Sequence, residues 1–521
     1  RIAIDFDKRL GQHDLKAFAF TELRSAIRTT NPFEGYGIQY DRGNQVYTNP
    51  LIFNKLINEG SDYFNLHKRT DRGITFSFNG TYGYAGKYVF NTVLNVEGSN
   101  TSGKGAHALW LPTWNVGGKW NIDQEDFMKE NKTISRLALR VSYGLTAKMN
   151  EEAINANAIY KSGIVNRHSL DDRESKFNIL HLENRDLTWE KMYELNIGAE
   201  LGLFDNRIST TLDIYQRNTF DLIDLVRTSG VGGQYYKYAN FGDMRTRGIE
   251  LGIHTKNIIT EDFKWSTSLT VSAMDQKITR LLNSPNAFDM VAGRGRGNIV
   301  DYPRGSLFSF NFQGLNNQGL PTFDFGRYPS NQSELSKIAG ADFLDAQYAK
   351  SYLIYHGPIE PRVIGGLSNT LKYKNWELSF FLTVQAGNKI RLNPTFDPEF
   401  ADLNIFSKSY YNRWLNPGDE YKTDVPVLPS QELIAAVGKE NIERAYNTYD
   451  YSQQRVADGS FVRMKNISLA YTVPENFLKK IRLHSMNLNL NLTNPFLIYS
   501  DRTQSIISQV VCQCLHQNST Q

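Results

Sequence analysis

Apolar and polar side chains alternate one by one through much of this chain. That pattern puts apolar residues on one face of a β-strand and polar residues on the other. Met486, Leu488, Leu490 and Leu492 alternate with Ser485, Asn487, Asn489, Asn491 and Thr493. Trp265, Thr267, Leu269 and Val271 alternate with Ser266, Ser268, Thr270 and Ser272. Phe76, Phe78, Tyr82 and Tyr84 share one parity against Thr75, Ser77, Asn79 and Thr81, and similar runs cover 137–143, 208–214 and 376–384. No 3.6-residue period of comparable length competes, although 430–445 suits a short helix. The chain is therefore all-β. About 14 strands are expected, near 2–7, 14–25, 71–84, 87–98, 110–120, 134–146, 190–202, 206–219, 243–256, 263–278, 362–372, 375–386, 461–473 and 485–499.

The connections between these strands alternate short and long, from turns such as Asp205-Asn206 and Lys374-Asn375 to stretches such as 279–361 and 387–460. An antiparallel sheet with every second loop long carries all its long loops at one end. Transmembrane barrels do this, with short periplasmic turns and long extracellular loops. Strands of roughly 11–15 residues suit a tilted bilayer crossing with a water-exposed extension. Aromatic residues gather beside the short turns, among them Tyr84, Tyr88, Trp120, Phe204, Phe263, Trp265, Tyr373 and Trp376, where an interfacial girdle belongs. A soluble β-sandwich or propeller would alternate too, but propeller blades repeat every 40–50 residues or so, and no such period is present.

Composition narrows the choice further. The chain has 521 residues, of which 40% are hydrophobic, and its mean hydropathy is −0.45. No stretch approaches the roughly 18 apolar residues of a membrane-spanning helix. Low hydropathy is compatible with a membrane barrel, because half of each strand faces water. A net charge of +4 over this length gives no electrostatic footprint for nucleic acid. The two cysteines, Cys512 and Cys514, sit at the end of the chain and can frame no disulfide or zinc core in the main body. The nine histidines are scattered, so no metal centre is expected. Gly293-Arg294-Gly295-Arg296-Gly297 follows no βα unit and reads as a loop, not a phosphate cradle. The acidic pairs Asp5 with Asp7 and Glu125 with Asp126 could serve glycoside hydrolysis only across a bound sugar, and nothing ties them to a pocket. Catalytic residues and cofactors are expected to be none.

Six strings stand out: LTWEKMYELNIGAELGLFDNRISTTLDIYQRNTFDLI (187–223), YANFGDMRTRGIELGI (238–253), GSLFSFNFQGLNNQGLP (305–321), GGLSNTLKYKNWELSFFLTVQAGNKI (365–390), SYYNRWLNPGD (409–419) and GSFVRMKNISLAYTVP (459–474). They resemble the SusC/RagA family of TonB-dependent outer-membrane transporters of Bacteroidota. Their order and spacing match the family over roughly 70–500. The resemblance implies a 22-stranded barrel in the outer membrane, filled by an N-terminal plug that carries a TonB box. It also implies a SusD-like surface lipoprotein that lids the barrel and helps capture oligosaccharides or peptides. Energy would come through the TonB complex, with gating and no covalent chemistry.

On this reading residues 1–499 form part of the barrel, and 500–521 form an atypical tail that lacks the family's aromatic last residue. The chain opens on Arg1 with no signal segment, which suggests either processing or a start within a longer protein, with the plug and the first strands preceding it. Ligand contact is expected at two places. One is the row Asn487, Asn489 and Asn491 on the lumenal parity, whose amides suit hydroxyl-rich or amide-rich solutes. The other is Tyr235, Tyr236 and Tyr238 on the Gly-rich segment 230–241, whose rings could stack on sugars or apolar peptide groups. Trp110 and Trp114, at an extracellular strand start, are further candidates. The competing class is a β-rich surface glycan-binding protein or glycoside hydrolase. A passive porin is disfavoured by the strings.

Overall fold

The computed structural model describes the chain except residues 33–42, 44–48, 52–53, 55–65, 101–108, 149–158, 167–172, 182–186, 228–235, 283–284, 293–296, 327–349, 396–407, 475–477, 479–482 and 501–521. Fourteen strands hydrogen-bond in one sheet, in chain order. They are β1 (Ile2–Leu10), β2 (His13–Thr30), β3 (His67–Tyr84), β4 (Tyr88–Ser99), β5 (Trp110–Asn121), β6 (Ile134–Lys148), β9 (Glu190–Leu203), β10 (Ile208–Arg227), β11 (Tyr236–Ile259), β12 (Phe263–Leu281), β16 (Val363–Tyr373), β17 (Trp376–Ala386), β20 (Phe461–Thr472) and β21 (Asn487–Ser500). Each corresponds to a stretch that the alternation marks. Several are longer than expected: β10, β11 and β12 run 20, 24 and 19 residues. Most of 220–242, read as a loop, is therefore strand.

Turn chemistry explains the tight ends. Phe204, Asp205 and Asn206 all have φ between 52° and 57°, and Lys374 has φ 50°, the left-handed conformation that two-residue hairpins demand. The register keeps faces apart. Ile214 pairs with Ile197 and Ile249, while Asp213 pairs with Gly198 and Glu250. The apolar face is open: Ile197, Ile214, Ile249 and Leu490 are between 44% and 60% exposed. In water so large an apolar patch would be a liability. Against lipid it is solvated, which is the alternation a membrane barrel needs.

The chain divides into two compact units. Residues Arg1–Tyr82, Asn91–Trp114 and Met149–Trp189 make up the first. It holds β1, β2 and most of β3 and β4, with the hairpin β7 (Ile159–Asn166) and β8 (Arg173–His181). The second, Gly83–Phe90, Asn115–Lys148 and Glu190–Gln521, contains the rest.

Within the second unit, two long connections that read as loops fold together. They form the three-stranded sheet of β13 (Ser306–Leu315), β14 (Pro321–Asp324) and β15 (Leu353–Pro358), and the pair β18 (Lys389–Arg391) and β19 (Val456–Asp458). Three short helices join them: α1 (Ala287–Ala292), α2 (Gln431–Val437) and α3 (Lys439–Asp450). The helix expected over 430–445 is thus two, broken at Gly438, whose φ is 93°. Ser430 caps α2, its hydroxyl accepting from the Leu433 amide at 3.2 Å. Phe308, Phe310, Phe312, Phe323, Ile442 and Tyr446 are among the residues of a shared core. The main buried core of the described residues therefore lies in these connections, and the sheet's apolar face is not covered by a second sheet as in a sandwich.

Candidate functional site

The polar face of the sheet carries a charged network that takes one or two residues from each of several strands. Lys119 Nζ donates to Glu200 at 2.7 Å, and Glu200 also receives Arg136 at 3.4 Å and Arg140 at 3.6 Å. Arg140 reaches on to Asp213 at 2.5 Å. Gly198 leaves room for this: a Cβ there would lie 2.3 Å from Arg140 Nε and 2.6 Å from Asp213 Oδ1. One turn of the pleat further on, Arg217 Nε donates to Glu194 at 2.9 Å and lies 4.1 Å above the Tyr215 ring. Such partly buried, bidentate pairs stiffen a wall more than exposed single pairs do. The sequence expectation of a lumenal parity rich in Asn, Ser and Thr misses this network, because its members meet only across strands.

The structure places the predicted residues as follows. Asn487, Asn489 and Asn491 are exposed on the polar face, Asn489 opposite Ala470 and Asn491 opposite Ser468. Tyr235 lies outside the described residues. Tyr236 and Tyr238 belong to β11, paired with Arg227 and Leu225, and so stand on a strand where a Gly-rich hinge was expected. Trp110 is on the apolar face. Its ring covers Gly98, where a Cβ would lie 2.9 Å away, and stacks on Phe76 at 6.4 Å. Alternation along β5 puts Trp114 and Trp120 on the same face as Trp110. Ten residues separate Trp110 from Trp120. At about 3.3 Å per residue and a tilt near 40°, that is a height of about 25 Å, the spacing of two interfacial girdles.

At the short-turn end the acidic pair Glu125 and Asp126 is committed to structure. Glu125 accepts from Lys87 Nζ at 2.9 Å, Tyr88 OH at 2.8 Å and Trp120 Nε1 at 3.0 Å. These three donors hold its carboxyl below the usual range. Asp126 pairs with Lys129 at 2.6 Å. Both carboxylates are thus occupied by cationic or hydrogen-bonding partners at this end of the sheet. Asp7, from the other pair, is bridged to Lys16 at 3.2 Å. Among the described residues no three His, Cys, Asp or Glu side chains converge as a metal site requires.

The folded connections at the long-loop end explain several of the distinctive strings. Gly319, with φ 75°, lies under Trp414, whose ring would be 2.6 Å from a Cβ. Trp414 Nε1 donates to Glu420 at 2.9 Å, and Asn316 Oδ1 accepts from the Gln318 and Leu320 amides at 2.9 Å. Strings 305–321 and 409–419 are thus two halves of one joint. Likewise Gly459 donates its amide to the Asn388 carbonyl at 3.0 Å, and Gly387 donates to Ser460 Oγ at 3.2 Å.

Lys389 bridges to Asp458 at 2.7 Å. Burial works against that carboxylate, but Lys389 and Ser460 outweigh it and hold its pKa down at about 2. Arg391 is held from several sides: Nη2 donates to the Val291 and Phe308 carbonyls at 3.1 and 2.5 Å, and its guanidinium stands 5.1 Å from the Tyr451 ring centre. Burial lowers its pKa to about 10. Gly293–Arg296 of the Gly-Arg segment lie outside the described residues, and Gly297 is packed 2.7 Å from Met290 Cα as a Cβ would see it.

Residues 5–494 match the family described as TonB dependent receptor-like, β-barrel. The chain is 27% identical over 434 residues to the TonB-dependent receptor P3 of Formosa agariphila, covering 79% of this chain and 40% of that protein. It is 26% identical over 437 residues to the TonB-dependent receptor SusC of Bacteroides thetaiotaomicron, covering 80% and 39%. A solved structure of the RagAB peptide importer in its closed-closed state superposes with a TM-score of 0.68 at 20% identity, over 96% of this chain and 51% of that one. The chain spans about two fifths of the length of the curated relatives it matches.

Proposed function

The chain belongs to the TonB-dependent receptor β-barrel family of the outer membrane, and on that premise we propose that it forms part of the wall and mouth of an active importer. The cargo is an oligosaccharide or an oligopeptide. A SusD-like lipoprotein closes over the mouth, and TonB supplies the energy. Residues 1–499 serve as barrel; of the stretch 500–521, expected to be a tail, Ser500 ends β21 and 501–521 lie outside the described residues. The observation that supports this most is the pairing of an open apolar face with a polar face whose charges are tied to one another. A wall of that kind presents lipid on one side and water on the other. Asn487, Asn489, Asn491, Tyr235, Tyr236 and Tyr238 are the proposed solute contacts. Trp110 and Trp114, standing on the apolar face, rank last. Gating needs no nucleophile, so receptors of this family are transporters and not enzymes.

The test uses cells that carry the intact receptor, offered short neutral oligosaccharides and a casein peptide digest. Depletion of either pool from the medium is read by mass spectrometry. Depletion should stop on deleting the gene and on adding a protonophore. Depletion that persists with the protonophore present would mean a passive pore.

A further inference from the structure

The apolar face of the sheet changes character toward the long loops. One row across it is Ile197, Ile214, Ile249, Ala273 and Val363, apolar over five strands. The next row up is Leu195, Gln216, Arg247 and Asp275, and the one after it is Tyr193, Asn218, Arg245 and Lys277. Gln216 and Asn218 lie eight and ten residues beyond Ile208, the first residue of β10. At about 3.3 Å per residue and a tilt near 40°, those rows stand about 20–25 Å up, at the outer rim of the apolar band. Aromatic rings mark the same level: Tyr193 stacks on Tyr143 at 6.3 Å and meets Phe220 edge-on at 5.9 Å.

A groove of about 580 Å³ runs between the first two rows, and Ala273 is the shortest side chain of its apolar floor. Above it stand cations that the sheet does not neutralise. Arg247 Nε donates to Gln216 Oε1 at 2.8 Å, which draws the guanidinium toward β10 and away from Asp275, its neighbour on β12. Among the described residues neither Arg245 nor Arg247 makes an ion pair. Lys277, beside Arg245, is held by Asp301 at 2.9 Å. The polar face behaves differently, since Arg136, Arg140 and Arg217 are each tied there to a carboxylate.

Both flanks of β10 and of β11 already carry hydrogen-bonded strands, so further strands of a barrel add in the plane of the sheet and leave this face to lipid. A lipid at this height lays its acyl chains in the groove and its headgroup beside the arginines. Two guanidiniums about 7 Å apart along one strand suit a phosphate, whose oxygens match their forked donors. This rim is at the long-loop end, hence in the outer leaflet, where outer membranes carry a phosphorylated, multiply acylated glycolipid. We propose that the groove is a binding site for that glycolipid. Arg245 and Arg247 take its phosphate, Ile214, Ile249 and Ala273 bed an acyl chain, and Gln216 positions Arg247. The inference rests on the membrane wall of the importer reading and goes beyond it, to a ligand of the outer surface that is not cargo.

The intact receptor, purified in detergent with a chelator present, is titrated with bisphosphorylated lipid A, with its dephosphorylated form and with phosphatidylglycerol. Bound lipid is counted by native mass spectrometry, on variants that reach the outer membrane at normal abundance. Bisphosphorylated lipid A should bind most tightly. Arg245→Ala with Arg247→Ala should weaken it about thirtyfold, roughly fivefold for each arginine. Ala273→Phe should weaken it too, by filling the groove with the charges intact. Lys374→Ala, at the opposite rim, should change nothing. Equal affinity for the phosphorylated and dephosphorylated forms would overturn the site, as would full binding in the double arginine variant or an equal loss in Lys374→Ala. Phosphatidylglycerol bound as tightly as lipid A would overturn the glycolipid assignment. None of these readings involves uptake, so the depletion assay decides the importer independently.

Discussion

Gly319 shows what a single residue contributes. Its φ of 75° and the Trp414 ring across its Cα both exclude a side chain. Gly319→Ala should cost about 1–3 kcal/mol and loosen the joint between 305–321 and 409–419, read as faster proteolysis within those segments; unchanged resistance would contradict the joint. His356 gives the same region a pH dependence. Its ring nitrogen meets Ser309 Oγ at 2.5 Å, and burial, with Arg391 and Lys389 adding to it, lowers its pKa. The unfolded chain therefore binds the proton more readily than the folded one. The stabilisation is complete above about pH 6.5 and is lost as pH falls below that toward the depressed value. Amide exchange in β13 and β15, corrected for intrinsic rate, should quicken between pH 7.5 and 5.5, and His356→Gln should remove the difference. Neither feature is legible in the sequence, where Gly319 is one glycine of a turn and His356 one of nine scattered histidines.

Strands were the most legible elements, because a period of two needs only neighbouring residues to be seen. Their depth in the membrane was not, since it depends on register. Ile214 lies six residues beyond Ile208, the first residue of β10, so it sits about 15 Å up a tilted strand, near the middle of the apolar band. Ile214→Arg should cost about 2–4 kcal/mol. Leu488 looks equivalent by parity, but it pairs with Tyr471, whose ring is 4.4 Å from Trp376 in the girdle. Leu488→Arg should therefore cost only about 0–1 kcal/mol, and Asn487→Arg on the polar face should leave folding intact. Denaturant titration of the intact receptor in liposomes measures all three; equal costs at Ile214 and Leu488 would refute the depth assignment. The folded connections were illegible for the opposite reason: Phe310 and Tyr446, in one core, are far apart in sequence and share no period.

At the scale of the whole molecule, the fold class followed from strand count, loop alternation and aromatic placement, and the six strings pointed to the family. What the sequence hid was the charged network of the polar face, since the pairs Lys119 with Glu200, Arg140 with Asp213 and Arg217 with Glu194 meet only across strands. Barrel and importer alike require that the two faces of this sheet meet different solvents. Spin labels test it directly, placed singly at positions 197, 214 and 251 on one face and 211, 370 and 489 on the other, in native outer membranes, with Cys512 and Cys514 replaced by serine. The first set should be accessible to dissolved oxygen and shielded from a water-soluble nickel complex, and the second set should show the reverse. Equal access of the nickel complex to both sets would mean a sheet in water, and the membrane wall would have to be given up.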